Sequence, residues 1–92
     1  MSDLMKDISR DMSSRLIMMR RQAGLSQAEL AIRLDISQPT VANYESGKTE
    51  IPFSRFFVIC ALCGVSLDQC LPKCLSKFFS KSKAELEQEI AK

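Results

Sequence analysis

The sequence predicts an all-α fold: one small helical domain followed by a helical tail. Three observations predict it. Apolar residues recur every three or four positions at Leu4, Met5, Ile8, Met12, Leu16, Ile17 and Met19, the spacing of one buried helix face. Glycine and proline number only three each, and no alternating apolar–polar run bounded by turns marks a strand. The window from Leu25 to Pro52 reads as two short capped helices joined by a three-residue turn.

The first helix follows the Leu4–Met19 pattern, either as one long helix or as a short arm with a helix from about Asp11. Gly24 ends it, and Arg20 and Arg21 in its last turn complement the helix dipole. Ser26 with Glu29 forms a capping box that opens the second helix, whose Leu30, Ala31 and Leu34 line one face. Asp35, Ile36 and Ser37 make the turn, and Ser37 caps a third helix from Gln38 to Ser46. Pro39 falls in its first turn, where a missing N–H is tolerated, and Gly47 stops it. A fourth helix is expected from about Pro52 to Cys63, ended by Gly64. Ser66 with Gln69 opens a short fifth helix to about Leu71, before Pro72 breaks the chain. Ser82 with Glu85 suits the start of a last helix in the tail. The resulting division is an arm or helix extension over 1–12, a helical domain over 13–71 and a tail over 72–92.

A chain of 92 residues is one domain with one modest core. With 46% apolar and 26% charged residues it is globular in composition. A net charge of +2 gives only mild long-range attraction to nucleic acid, so affinity for it must come from local placement of cations and amides. The apolar stretch 56–65 is too short to span a membrane, and no signal peptide is visible. A cytoplasmic protein with thiols rather than disulfides is the expectation. With no histidine, no phosphate-binding glycine loop and no carboxylate pair, the sequence does not suggest an enzyme.

On a helical wheel, Val41 and Tyr44 fall together and must face the core. Pro39, Ala42, Asn43 and Ser46 lie opposite, with Gln38 to one side. That outer face is uncharged and short-limbed, which lets a helix sit deep in the DNA major groove. Gln38 and Asn43 each pair a donor with an acceptor, matching the N6/N7 edge of adenine, and Pro39 or Thr40 can touch a thymine methyl. Ser26 and Ser37 start helices whose free N–H groups can hold phosphates, and Lys48 can reach the backbone as a point charge. A plain solvated helix surface is the competing reading. The conjunction of caps, turn, buried pair and small outer face argues against it.

The stretches RRQAGLSQAELA, ISQPTVANYESGKTEIP and GVSLDQCL, in that order, resemble the lambda-repressor-like (Cro/XRE-type) helix-turn-helix family over about Ser13–Leu71. The resemblance implies a compact five-helix bundle in which Gln38 opens the recognition helix. It implies base contacts from Gln38, Pro39 and Asn43, to which the wheel adds Thr40. It implies a phosphate contact from Gln27 and a position near the backbone for Lys48; Ser37 and Thr49 complete the expected phosphate set. It also implies a partly buried structural ion pair between Arg20 and Glu45. Asp35 departs from the family, where glycine is common, but Asp tolerates the left-handed region better than most residues.

Cys60, Cys63, Cys70 and Cys74 have C-x2-C-x6-C-x3-C spacing, which raises a zinc site. Their positions within apolar helical patterns favour buried thiols, so neither metal nor cofactor is expected. In the tail, Leu75, Phe79, Leu86 and Ile90 fit one stripe with Phe78 beside it. They suit a homodimer contact, with a cap over the first helix as the alternative. The basic run Lys73–Lys83 is read as a solvated face. The functional expectation is a repressor that binds double-stranded DNA as a homodimer. An antitoxin, a restriction–modification controller, or a protein-interaction module that has lost DNA binding are the alternatives. An antitoxin would add a protein partner.

Overall fold

The computed structural model describes residues 3–66, 69 and 82–91. These form five helices: α1 (Asp3–Gln22), α2 (Gln27–Leu34), α3 (Gln38–Ser46), α4 (Phe53–Leu62) and α5 (Lys83–Ala91). Among the described residues there is no strand, so the all-α expectation holds. Most of the short helix expected over 66–71 lies outside them, as do Cys70, Cys74, Leu75, Phe78 and Phe79.

The choice left open at the N-terminus resolves as helix: α1 runs unbroken for 20 residues. Its early turns are held because Leu4 and Met12 are buried and Ile8 packs partly against the core. A mobile arm would have left that row in water at a cost of roughly 25 cal/mol for each Å² of apolar surface.

Three of the helix ends close with one device. After α1, the Leu25 N–H reaches the Arg20 carbonyl at 3.1 Å and the Gly24 N–H reaches that of Arg21 at 3.0 Å. After α2, Ile36 and Asp35 make the same pair of bonds to Ala31 and Ile32, at 3.0 and 3.2 Å. After α4, Val65 and Gly64 do so to Cys60 and Ala61, at 2.9 and 3.2 Å. Each is a Schellman ending, which needs one left-handed residue. Glycine supplies it at 24 and 64; Asp35 supplies it with φ 56°, the one non-glycine in that region among the described residues.

The core gathers on Leu16, Leu30, Val41, Phe56 and Ile59, each essentially without exposure. Every one of the first four helices contributes, so removing any of these side chains opens a cavity shared by two or more helices. Tyr44 closes one side, and its hydroxyl accepts a 2.7 Å hydrogen bond from Arg55. Cys60 is buried, its thiol 3.8 Å from the Met19 sulfur, and Cys63 is half-buried. Among the described residues no cluster of metal-ligating side chains occurs.

Ser82 caps α5, accepting from the Glu85 N–H at 3.2 Å. This helix packs on α1, with Leu86 half-buried and Ile90 still 49% exposed.

Candidate nucleic-acid interface

The second and third helices are fixed at their starts. At α2 the Ser26 hydroxyl accepts from the Glu29 N–H at 3.0 Å, and the Glu29 carboxylate accepts from the Ser26 N–H at 3.1 Å. Hydrogen bonding to the carboxylate, from the Ser26 N–H first and then from the Ser26 side chain, holds the Glu29 carboxyl below its usual range. At α3 the Ser37 hydroxyl accepts from the Thr40 N–H at 3.2 Å and lies 2.7 Å from the Thr40 hydroxyl. These caps use the Ser26, Glu29 and Thr40 N–H groups, and Pro39 has none. The N–H groups of Gln27, Ala28 and Gln38 take no part in these capping bonds, so fewer are open at the two helix starts than the sequence alone suggested.

Val41 and Tyr44 turn inward, as the wheel requires. Gln38, Pro39 and Ser46 are exposed, while Thr40, Ala42 and Asn43 are half-buried. The outward row is therefore narrower than the wheel drew it. The chain after α3 folds back so that the Thr49 N–H bonds the Asn43 carbonyl at 3.2 Å. Lys48 and Thr49 are exposed beside it.

A polar chain runs behind the exposed end of α3. Gln38 donates from Nε2 to Gln27 Oε1 at 2.9 Å. Gln27 donates from its own Nε2 to Glu45 Oε1 at 3.0 Å. Arg20 then holds Glu45 in a fork, Nε to Oε2 at 2.6 Å and a terminal nitrogen to Oε1 at 3.1 Å. Its other terminal nitrogen donates to the Leu25 carbonyl at 2.8 Å. The fork is nearly closed to water, with side-chain exposures of 11% for Arg20 and 7% for Glu45. Burial pushes the Glu45 carboxyl up, but hydrogen bonds from Arg20 and Gln27, aided by the Arg20 charge, outweigh it and leave the group below its ordinary range. The Glu45 hydrogen bond raises the Arg20 pKa in turn.

The arrangement is a polar chain from an exposed amide to a buried ion pair. An exposed amide at the N-terminal end of a helix is oriented by a second amide, and the second is anchored to a buried ion pair. Orientation matters because an amide matches an adenine edge only in one plane and one flip. A family model described as Helix-turn-helix matches residues 16–70. The chain belongs to the lambda-repressor-like, Cro/XRE-type helix-turn-helix family. Comparison with curated proteins and with solved structures found no match. Membership makes this helix-turn-helix protein a DNA-binding regulator, with α2 and α3 as its motif. Among the described residues no helix is long and apolar enough to cross a membrane.

Two cations outside the sequence-predicted contacts of this helix-turn-helix also lie near α3. Lys6 and Arg10 of α1 line one groove of about 560 Å³ together with Lys48 and Thr49. Their i, i+4 spacing was visible in the sequence; the approach of residues so distant in the chain to Lys48 was not.

Proposed function

We propose that this protein is a sequence-specific transcriptional repressor that occupies a short operator as a homodimer in the cytoplasm. Gln38, Pro39, Thr40 and Asn43 read base edges in the major groove. Gln27, Ser37, Lys48 and Thr49 rest on phosphates and set the register of α3. The observation that carries this reading is the braced amide of Gln38, 2.9 Å from Gln27 at the exposed start of the recognition helix. Bracing lowers the entropy lost when the side chain meets a base, which favours reading over mere solvation. Asn43, half-buried, reads from the side of the helix rather than its crest.

The homodimer reading is supported by apolar surface that a monomer leaves in water. Phe53 and Val58 on α4 are 50% and 51% exposed, and Phe53 stacks edge-on against Phe57 at 4.5 Å. Ile90 on α5 adds to the exposed set, in keeping with the tail stripe. Two copies related by a twofold axis present their α3 helices to half-sites one DNA turn apart, roughly 34–36 Å.

The test is selection of bound duplexes from random DNA, followed by footprinting with wild type, Gln38→Ala and Asn43→Ala. The expected outcome is a two-half-site motif whose preference relaxes at one base position per half-site in each variant. A chain that recovers no motif and shows no salt-dependent affinity for any duplex is a protein-interaction module instead.

A further inference from the structure

Over the family-matched residues 16–70, five Lys/Arg are balanced by five Asp/Glu. Two of those cations are already engaged: Arg20 with Glu45, and Arg55 with the Tyr44 hydroxyl. Lys48 is the one cation immediately after α3. A matched segment with no net charge is poorly equipped to draw in a polyanion, because the phosphate backbone supplies most of the non-specific affinity.

We infer that the N-terminal extension of α1 supplies a second DNA-backbone contact, with Lys6 and Arg10 gripping phosphates in the groove they share with Lys48 and Thr49. The inference rests on the DNA-binding reading above and adds to it a contact from residues outside the family match. Along α1, positions 6, 9, 10, 13 and 14 share one face and read Lys, Ser, Arg, Ser, Ser. All five line the groove of about 560 Å³ beside the turn after α3. Cations with hydroxyls between them are the side chains that hold phosphodiester oxygens. The face is also held in place: the Ser9 hydroxyl donates to the Glu50 carboxylate at 2.9 Å, clipping α1 to the turn after α3.

The acids nearby do not cancel the groove. Glu45 and Glu50 line the groove too. Arg20 offsets Glu45, while Glu50 keeps its charge as it accepts from Ser9, so Lys6, Arg10 and Lys48 outnumber the one carboxylate without a cationic partner. Asp7 sits 3.8 Å from Arg10, but both side chains are largely in water. Such a pair holds its partners weakly, so Arg10 can turn to a phosphate at little cost. The groove adjoins the end of α3, so a duplex seated on Gln38 brings its flanking backbone past Lys48 toward Lys6.

The experiment uses the full chain on a duplex recovered by its own selection from random DNA. Binding is measured across a salt series, and phosphate-ethylation interference maps which phosphates matter. The double variant Lys6→Ala/Arg10→Ala should give a salt dependence shallower than wild type by more than one unit of log–log slope, since each phosphate no longer neutralised removes roughly 0.9. It should also lose interfering phosphates that Lys48→Ala keeps. The charge-conserving Lys6→Arg/Arg10→Lys should retain both, and Arg33→Ala, a cation outside the groove, should leave the ethylation pattern intact. The wild-type pattern needs no variant: sensitive phosphates must extend beyond those assigned to Lys48. A wild type that binds steeply while the double variant keeps its slope and pattern overturns this inference alone. A wild type that selects no duplex overturns the DNA reading beneath it.

Discussion

Gln27 and Gln38 stand eleven positions apart in the chain, yet their side-chain amides meet at 2.9 Å across the turn between α2 and α3. The bond makes the residue expected to touch a phosphate the brace of the residue expected to touch a base. Position and sequence preference are thereby coupled. Gln38→Ala should relax preference at one base position by about 1–3 kcal/mol while leaving other positions alone. Gln27→Ala should relax that same position to a lesser degree and also weaken binding to every sequence. Competition binding against single-base variants of a selected duplex separates the two. If Gln27→Ala weakens all duplexes equally with no change in rank, the brace has no role in reading.

The Arg20–Glu45 fork should matter more to stability than to recognition. Removing one partner of a buried pair leaves an uncompensated charge, at a cost on the order of 3–5 kcal/mol. Glu45→Ala should therefore lower the melting temperature far more than Gln38→Ala, whose side chain is exposed. Acid should erase much of the difference between wild type and Glu45→Gln. The Glu45 pKa is lowered in the fold, so its contribution is complete above the unfolded carboxyl value, about 4.3. It is lost as pH falls through the lower folded value. Thermal melts of the two proteins from pH 7 downward should begin to converge below about pH 4 and draw together further as pH falls through the folded value. Parallel curves throughout would mean the carboxylate is not what stabilises the joint.

The features legible in the sequence are those written in consecutive residues. Ser26 with Glu29, Ser37 before Pro39, and Gly24 and Gly64 after their helices each encode a local hydrogen-bond pattern, and each stands where expected. Periodicity likewise put Val41 and Tyr44 inside. What escaped depends on distant parts of the chain. The wheel turned Asn43 fully outward because it treats one helix alone, whereas the folded chain leaves that residue half-buried. The N-terminal residues could have been arm or helix because the burial of Leu4 is decided by tertiary packing. No motif in the sequence singles out Lys6 and Arg10; the fold brings them to the groove of Lys48.

Asp35 carries a left-handed backbone, φ 56° and ψ 45°, at a Schellman ending where glycine serves after α1 and α4. Asp35→Gly should relieve the Cβ strain there, although a more flexible unfolded chain offsets part of the gain. A net stabilisation of about 0.5–1 kcal/mol is expected, a rise of a few degrees in melting temperature. Asp35→Val should destabilise, because a β-branched residue is poorly tolerated at that φ. DNA affinity of Asp35→Gly should match wild type, since the left-handed backbone that the glycine keeps leaves α3 where it is and Asp35 is not one of the proposed contacts. Calorimetry showing a lower melting temperature for the glycine variant would mean that the aspartate side chain contributes more than its backbone costs.

Lys48 should behave unlike the residues on α3. It is exposed, follows the helix stop at Gly47, and has its N–H bonded to the Ser46 hydroxyl at 3.3 Å, which directs the backbone while leaving the side chain to water. A single ammonium on a flexible stem meets phosphate as a point charge and carries no base information. Lys48→Ala should therefore weaken all duplexes by the same factor and flatten the salt dependence by roughly 0.9 of log–log slope per copy. Lys48→Arg should restore the slope, whereas Gln38→Ala should change rank order with little effect on slope. Equilibrium titrations of the preferred and a scrambled duplex over several salt concentrations read both quantities at once. A sequence-dependent loss in Lys48→Ala would reassign that residue from the backbone to the bases.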